Sequence, residues 1–250
     1  MHLRTWGAAG PTLVLVHGSI LGGRATWRAF RGLADRNRLL VPTRRGYAPG
    51  PPLEPGAVED HERDAADLVE LLSGPLVDEP VHLVGHSFGA VVALLAAAAA
   101  PSRVGSLTLL EPPPLPPVHE RPAVREWVGG LEALQGRADL ADGAWLRAFA
   151  QLVGAEIEVD EPLPRETARH VGLARSARPV WRAEVDYRAV AAAGMVATVV
   201  SGGHAEAFET GCDDVAERLG AERLVVPGAG HNVPWAPGAA EAVEKLSHAR

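Results

Sequence analysis

The chain has 250 residues, 47% of them hydrophobic and 22% charged, which is apolar material for one complete core and excludes a disordered chain. Its formal net charge of −7 excludes a broad basic face for nucleic-acid phosphates, so the expected partner is a small molecule and not nucleic acid. One cysteine, Cys212, cannot form an intrachain disulfide or a cysteine-based metal centre, and the one lysine, Lys245, sits too near the chain's end to serve as a Schiff-base residue. The opening residues Met1 to Gly10 lack the apolar core and cleavage site of a secretory signal. The longest apolar run, Ala90 to Ala100, is shorter than the ~20 residues of a membrane span. The expectation is a cytoplasmic protein without membrane contact.

Short Val- and Leu-rich runs alternate with helical patterns. Strands are predicted at Thr12 to Val16, Leu39 to Pro42, Val81 to Val84, Ser106 to Leu110, Val196 to Val200 and Leu224 to Val226. Helices are predicted at Trp27 to Leu33, His61 to Leu72, Phe88 to Ala99, Asp213 to Leu219 and Gly238 to Ser247. This alternation implies an α/β fold with a doubly wound, mostly parallel sheet. The rhythm stops between Pro112 and about Ala193, where no buried strand is apparent. A stiff proline-rich run, Pro112 to Pro117, opens that interval, and amphipathic stretches follow at Arg125 to Leu134, Ala144 to Val153 and Arg165 to Ser176. The simplest organisation is a core of residues 1–111 and 194–250 with a helical cap over 112–193.

The segment Gly85-His86-Ser87-Phe88-Gly89 matches G-x-S-x-G between a predicted strand and a predicted helix. A serine on that sharp turn is presented at the carboxyl edge of the sheet, beside the positive end of the helix. Ser87 is therefore the candidate nucleophile, the competing reading being an ordinary glycine-containing turn. An oxyanion needs donors, and the expected pair is the amide of Phe88 with that of Ser19, in the loop His17-Gly18-Ser19-Ile20 after the first buried strand. Ser19 could equally be a plain turn residue.

A serine hydroxyl also needs a base. His231, in the loop Gly228 to His231 past the last strand, is the first candidate among ten histidines, and His204 is its rival. His86 should diverge from Ser87, and His17 reads as a structural hydrogen-bonding residue. Two carboxylates could orient the imidazole. Glu111 ends the strand after the nucleophile helix; Glu206 is the alternative acid, following Ser201-Gly202-Gly203-His204-Ala205, where an aspartate would be expected. Glu206 could instead lie on a first helical turn, where acids suit the helix dipole.

With Ser87, Glu111 and His231 in this order and His17-Gly18 before them, the chain resembles the α/β-hydrolase superfamily over essentially its whole length. The stretch Arg44-Arg45-Gly46-Tyr47 resembles the family too, although Thr43 and Gly50 replace its usual acid and serine. The resemblance implies a doubly wound sheet, a helical cap after the strand ending near Glu111, and leading antiparallel strands for which only His2 to Trp6 is available. It implies a cofactor-free and metal-free serine hydrolase that cleaves an ester, lactone or thioester of a hydrophobic small molecule through an acyl-enzyme. The alternatives are a carbon–carbon bond hydrolase acting on a β-diketone-like substrate, a non-hydrolytic cyclase or lyase, and a ligand receptor on the same fold. Trp127, Trp145 and Trp181 in the insertion, with Trp27 and Trp235 on core loops, are candidate pocket residues, against the reading that they only pack cap on core.

Overall fold

The computed structural model describes residues 1–247. The strands are β1 (His2–Trp6), β2 (Thr12–Val16), β3 (Arg38–Thr43), β4 (Val81–His86), β5 (Val104–Leu110), β6 (Val196–Ser201) and β7 (Glu222–Val225). They form one seven-stranded sheet in the order β1-β3-β2-β4-β5-β6-β7. Only β1 runs antiparallel, on the edge beside β3. The helices are α1 (Gly23–Thr26), α2 (His61–Ser73), α3 (Phe88–Ala99), α4 (Pro122–Gln135), α5 (Asp142–Val153), α6 (Arg165–Ser176), α7 (Tyr187–Ala192), α8 (Glu206–Leu219) and α9 (Ala239–Ser247).

Two faces of apolar side chains on the central strands dictate two helical layers. Alternate residues of a strand point to opposite faces. Val14 and Val16 accordingly join Leu83, Leu107 and Val199 under α2, α3 and α8. Leu13 and Leu15 instead join Val84, Leu110 and Val200 under α9 and the 3-10 segment Arg28–Asp35. Helix α3, FGAVVALLAAAA, is apolar on every side because it is buried nearly all round. The helix expected at Trp27 to Leu33 is instead the short α1 followed by 3-10 turns, which bury Phe30 and Leu33 against the sheet.

Between β5 and β6 lie α4 to α7 and no strand. Helices α4, α5 and α6 build two apolar clusters, one around Trp127 and Trp181 that takes in Ala207 and Phe208 of α8, the other around Trp145 and Val171 that takes in Ile20 of the loop after β2. The chain then returns to the core, where Ala183 and Val190 pack with residues of α3 and α8. No helix among the described residues is long and apolar enough to cross a membrane.

The turn between β4 and α3 is tightly packed against backbone on both sides. A Cβ on Gly85 would lie 2.5 Å from Ala90 Cα, and one on Gly89 would lie 2.4 Å from the carbonyl oxygens of Val16 and His17. Gly85→Ala is therefore expected to cost about 2 kcal/mol, the scale of core overpacking, through forced separation of α3 from β4. Urea unfolding checks this; an unchanged midpoint would contradict the steric account.

Candidate active site

The site grows from three strand ends. In the parallel register His86 pairs with Leu110, and Leu110 with Val200. One residue further, the amide of Ser87 donates to Leu110 O (2.9 Å) and that of Glu111 to Val200 O (2.7 Å). Both residues turn sharply there: Ser87 has φ 54° and Glu111 φ 52°, left-handed backbone that non-glycine residues rarely adopt. The turns lift both side chains over the same sheet edge. His231 arrives from the segment after β7, in 3-10 turns spanning Gly230–Trp235.

His231 Nε2 lies 2.9 Å from Ser87 Oγ, and His231 Nδ1 lies 2.9 Å from Glu111 Oε2. A bond from Nδ1 to a carboxylate requires the proton on Nδ1, which leaves the Nε2 lone pair facing the hydroxyl. The backbone of His231 is held at both ends, its N–H donating to Gly154 O (2.9 Å) and its carbonyl accepting from His86 Nε2 (2.8 Å). Glu111 is fully buried. Burial alone would raise its carboxyl, but hydrogen bonds from His204 and His231 outweigh this and lower it to about 2.

His204 stands at the acid and not at the serine: its Nε2 bonds Glu111 Oε2 at 2.8 Å. Glu206 is exposed on the first turn of α8 and touches neither His231 nor Ser87, while Glu209 is committed to Ser201 Oγ, Gly203 N and Arg223. The atoms of Glu111, His204 and His231 lie within 4.8 Å of one another, a set that could in principle hold a cation. The two imidazoles lie 2.8 and 2.9 Å from Glu111 Oε2, the distances of proton-mediated bonds and shorter than ligand atoms keep around a metal ion.

A buried cation supports the loop after β2, a group that the reading of Arg44-Arg45-Gly46-Tyr47 did not identify. Arg44 donates to the carbonyls of His17 (Nε, 3.0 Å) and Gly18 (Nη2, 2.8 Å), and to Glu59 (2.5 Å) and Asp64 (2.9 Å). Its guanidinium lies 4.2 Å from the Phe88 ring centroid. Burial opposes this charge, but Glu59, Tyr47 and Asp64 hold it firmly protonated. The amide of Arg44 donates to His17 Nε2 (3.0 Å), so His17 Nδ1 carries the proton and donates to Gly18 O (2.8 Å). A Cβ on Gly18 would lie 3.0 Å from Ser87 Cβ, so the loop passes directly against the serine.

Two spaces meet at Ser87 and Ser19. The first is narrow, with about 50 Å³ of room, and is walled by Phe88, Trp127, Trp145, Phe149, Trp181 and Phe208. The second is roomier, about 420 Å³, and is lined by His231, Asn232 and Trp235 among others. Of the five tryptophans expected at a pocket, four line one space or the other. Trp27 lines neither: it is fully buried beneath the sheet, 4.9 Å from the Phe30 ring, because the chain leaving α1 turns its indole onto β2 and β3.

His86 responds to pH in a direction its surroundings define. Burial, reinforced by the neighbouring His231, lowers it to about 3. The unfolded chain takes up that proton below its ordinary value of about 6.5, which the folded chain resists, so this contribution to stability is lost as pH falls towards 3. His86→Gln keeps a donor for His231 O and is expected to reduce the fall in urea midpoint between about pH 7 and pH 4.5. An unchanged slope would contradict the assignment.

The chain is similar in sequence and in fold to proteins named as hydrolases. Over 166 residues the chain is 30% identical to the lipase LipV of Mycobacterium tuberculosis, a match covering 63% of this chain and 60% of that protein. Over 102 residues it is 39% identical to the pimeloyl-(acyl-carrier protein) methyl ester esterase of Methylococcus capsulatus, covering 40% of this chain and 37% of the relative. The chain thus spans less than two thirds of these relatives' length. A solved structure described among novel epoxide hydrolases from metagenomes of hot environments superposes with a TM-score of 0.72 at 21% identity, covering 99% of this chain and 94% of that one. The sequence pattern of the alpha/beta hydrolase family matches residues 13–245, and the chain belongs to that family.

Proposed function

We propose that the protein is a serine hydrolase that cleaves an ester, lactone or thioester of a hydrophobic small molecule through an acyl-enzyme. The observation that carries this is the continuous relay from Ser87 Oγ through both nitrogens of His231 to Glu111, at the junction of the two spaces. Ser87 Oγ attacks the substrate carbonyl while His231 Nε2 takes its proton. Glu111 stabilises the resulting imidazolium. The same proton then passes to the leaving group, and a water activated by His231 releases the acid.

The oxyanion role of the amides of Ser19 and Phe88 is supported by what holds them. Arg44 and His17 fix the carbonyl of Gly18, and in a planar trans peptide this also fixes the N–H of Ser19, pointing the opposite way. Phe88 begins α3, so its N–H has no partner within the helix. Both donors would thus be set before substrate arrives.

Both spaces reach Ser87, so between them they would take the acyl group and the departing alcohol or thiol. Helices α4 to α6, which wall the aromatic space, act as a cap. The indole N–H groups of Trp127 and Trp145 are bonded to the carbonyls of Leu152 and Leu134, whereas that of Trp181 is buried without a partner. A hydrogen-bond acceptor on the acyl group would satisfy it.

A fluorophosphonate probe is expected to add its mass to the peptide carrying Ser87, and not to Ser87→Ala; folded protein that resists labelling would overturn the acyl-enzyme reading. With a short p-nitrophenyl ester as reporter, Glu111→Gln is expected to lower kcat by about a thousandfold or more, the scale of a triad acid that no longer holds the right tautomer. Glu206→Gln should stay within about twofold, as an exposed substitution away from the reacting groups would. The reverse order would move the role to Glu206.

A further inference from the structure

Three donors converge on Glu111. Oε2 accepts from both His231 Nδ1 (2.9 Å) and His204 Nε2 (2.8 Å), and Oε1 accepts from the amide of Gly202 (2.5 Å). His204 is built into its place. It follows the end of β6, its ring lies 5.1 Å from that of Phe208, and a Cβ on Gly154 would fall 2.1 Å from its Nδ1. Only a glycine at 154, in left-handed backbone (φ 69°), lets α5 close over it. The charged groups nearest this loop, Glu209 and Arg223, are bonded to each other.

Glutamate has one more rotatable bond than aspartate, so an acid placed at the end of β5 can reach His231 in more than one way. Two donors on Oε2 and one on Oε1 remove that freedom. Sharing also has a consequence: each proton on Oε2 reduces the charge available to the other. We infer that His204 is a positioning residue, a second imidazole that locks the Glu111 carboxylate against His231 and moderates the His231–Glu111 hydrogen bond. The inference rests on the triad reading above.

The test uses the full chain and three proteins: wild type, His204→Phe and His204→Gln. Glutamine keeps an N–H for Glu111, while phenylalanine fills the space and donates nothing. In the free enzyme the Nδ1 proton of His231 gives a low-field proton NMR resonance. It should move further downfield in His204→Phe, where Oε2 is no longer shared, and stay near the wild-type position in His204→Gln. With the p-nitrophenyl ester, His204→Phe should lose about tenfold in kcat at unchanged KM, the size of one hydrogen bond to a charged group, and His204→Gln should recover most of that loss. An unmoved resonance in folded His204→Phe would overturn the inference, as would equal losses in both variants that track a falling melting temperature. A wild-type protein that neither turns over esters nor labels at Ser87 would instead be failure of the hydrolase reading, and the resonance would still report on His204.

Discussion

The site depends on a ladder that runs one residue past the strands. The amides of Ser87 and Glu111 continue the parallel hydrogen bonding onto Leu110 and Val200, although both residues have already turned into left-handed backbone. Such conformations persist only where their surroundings over-determine them. Here the surroundings are the sheet itself on one side and, for Ser87, the close approach of α3 that Gly85 and Gly89 permit. Ser87 and Glu111 are thus set by the register of β4, β5 and β6.

A second constraint is electrostatic. Arg44, Glu59, Asp64 and Tyr47 are all buried within a few ångströms, an arrangement whose desolvation cost makes it a poor device for stability alone. What it achieves is direction. The guanidinium fork takes two successive carbonyls of the loop after β2 and lies against the ring of the residue following the serine. Planar, multiply donating geometry is what distinguishes arginine from lysine at such a place.

Much of this was legible in one dimension because burial on both faces leaves continuous apolar runs. Those runs marked β2, β4, β5 and β6 closely, and G-x-S-x-G between a strand and a helix marked Ser87. Other features had no such signal. The edge strand β1 is half exposed and mixes His, Arg and Thr with Leu and Trp, so its pattern is that of a loop. The 3-10 segment after α1 has the apolar spacing of a helix, and spacing does not report which ladder closes. Trp27 and Trp145 are alike in type and burial, yet one lies beneath the sheet and the other on the cavity, a difference decided by which way a turn leaves its helix. His204 reads in the sequence as a rival base, and only the neighbouring strand end shows it against Glu111 instead.

His231 is where the insertion and the core become one object. His231 sits on a short segment with no ladder of its own, and its amide is satisfied by the carbonyl of Gly154, at the end of α5. Gly154 also admits His204, because any side chain there would collide with its ring. A single glycine of the insertion therefore bears on both imidazoles that share Glu111. Movement of α5 away from the core would remove the partner of the His231 amide and uncover the second donor to the acid in the same step. The helices that wall the aromatic space and the residues that would carry the proton are coupled through backbone atoms, so the arrangement is complete only with α5 packed against the core.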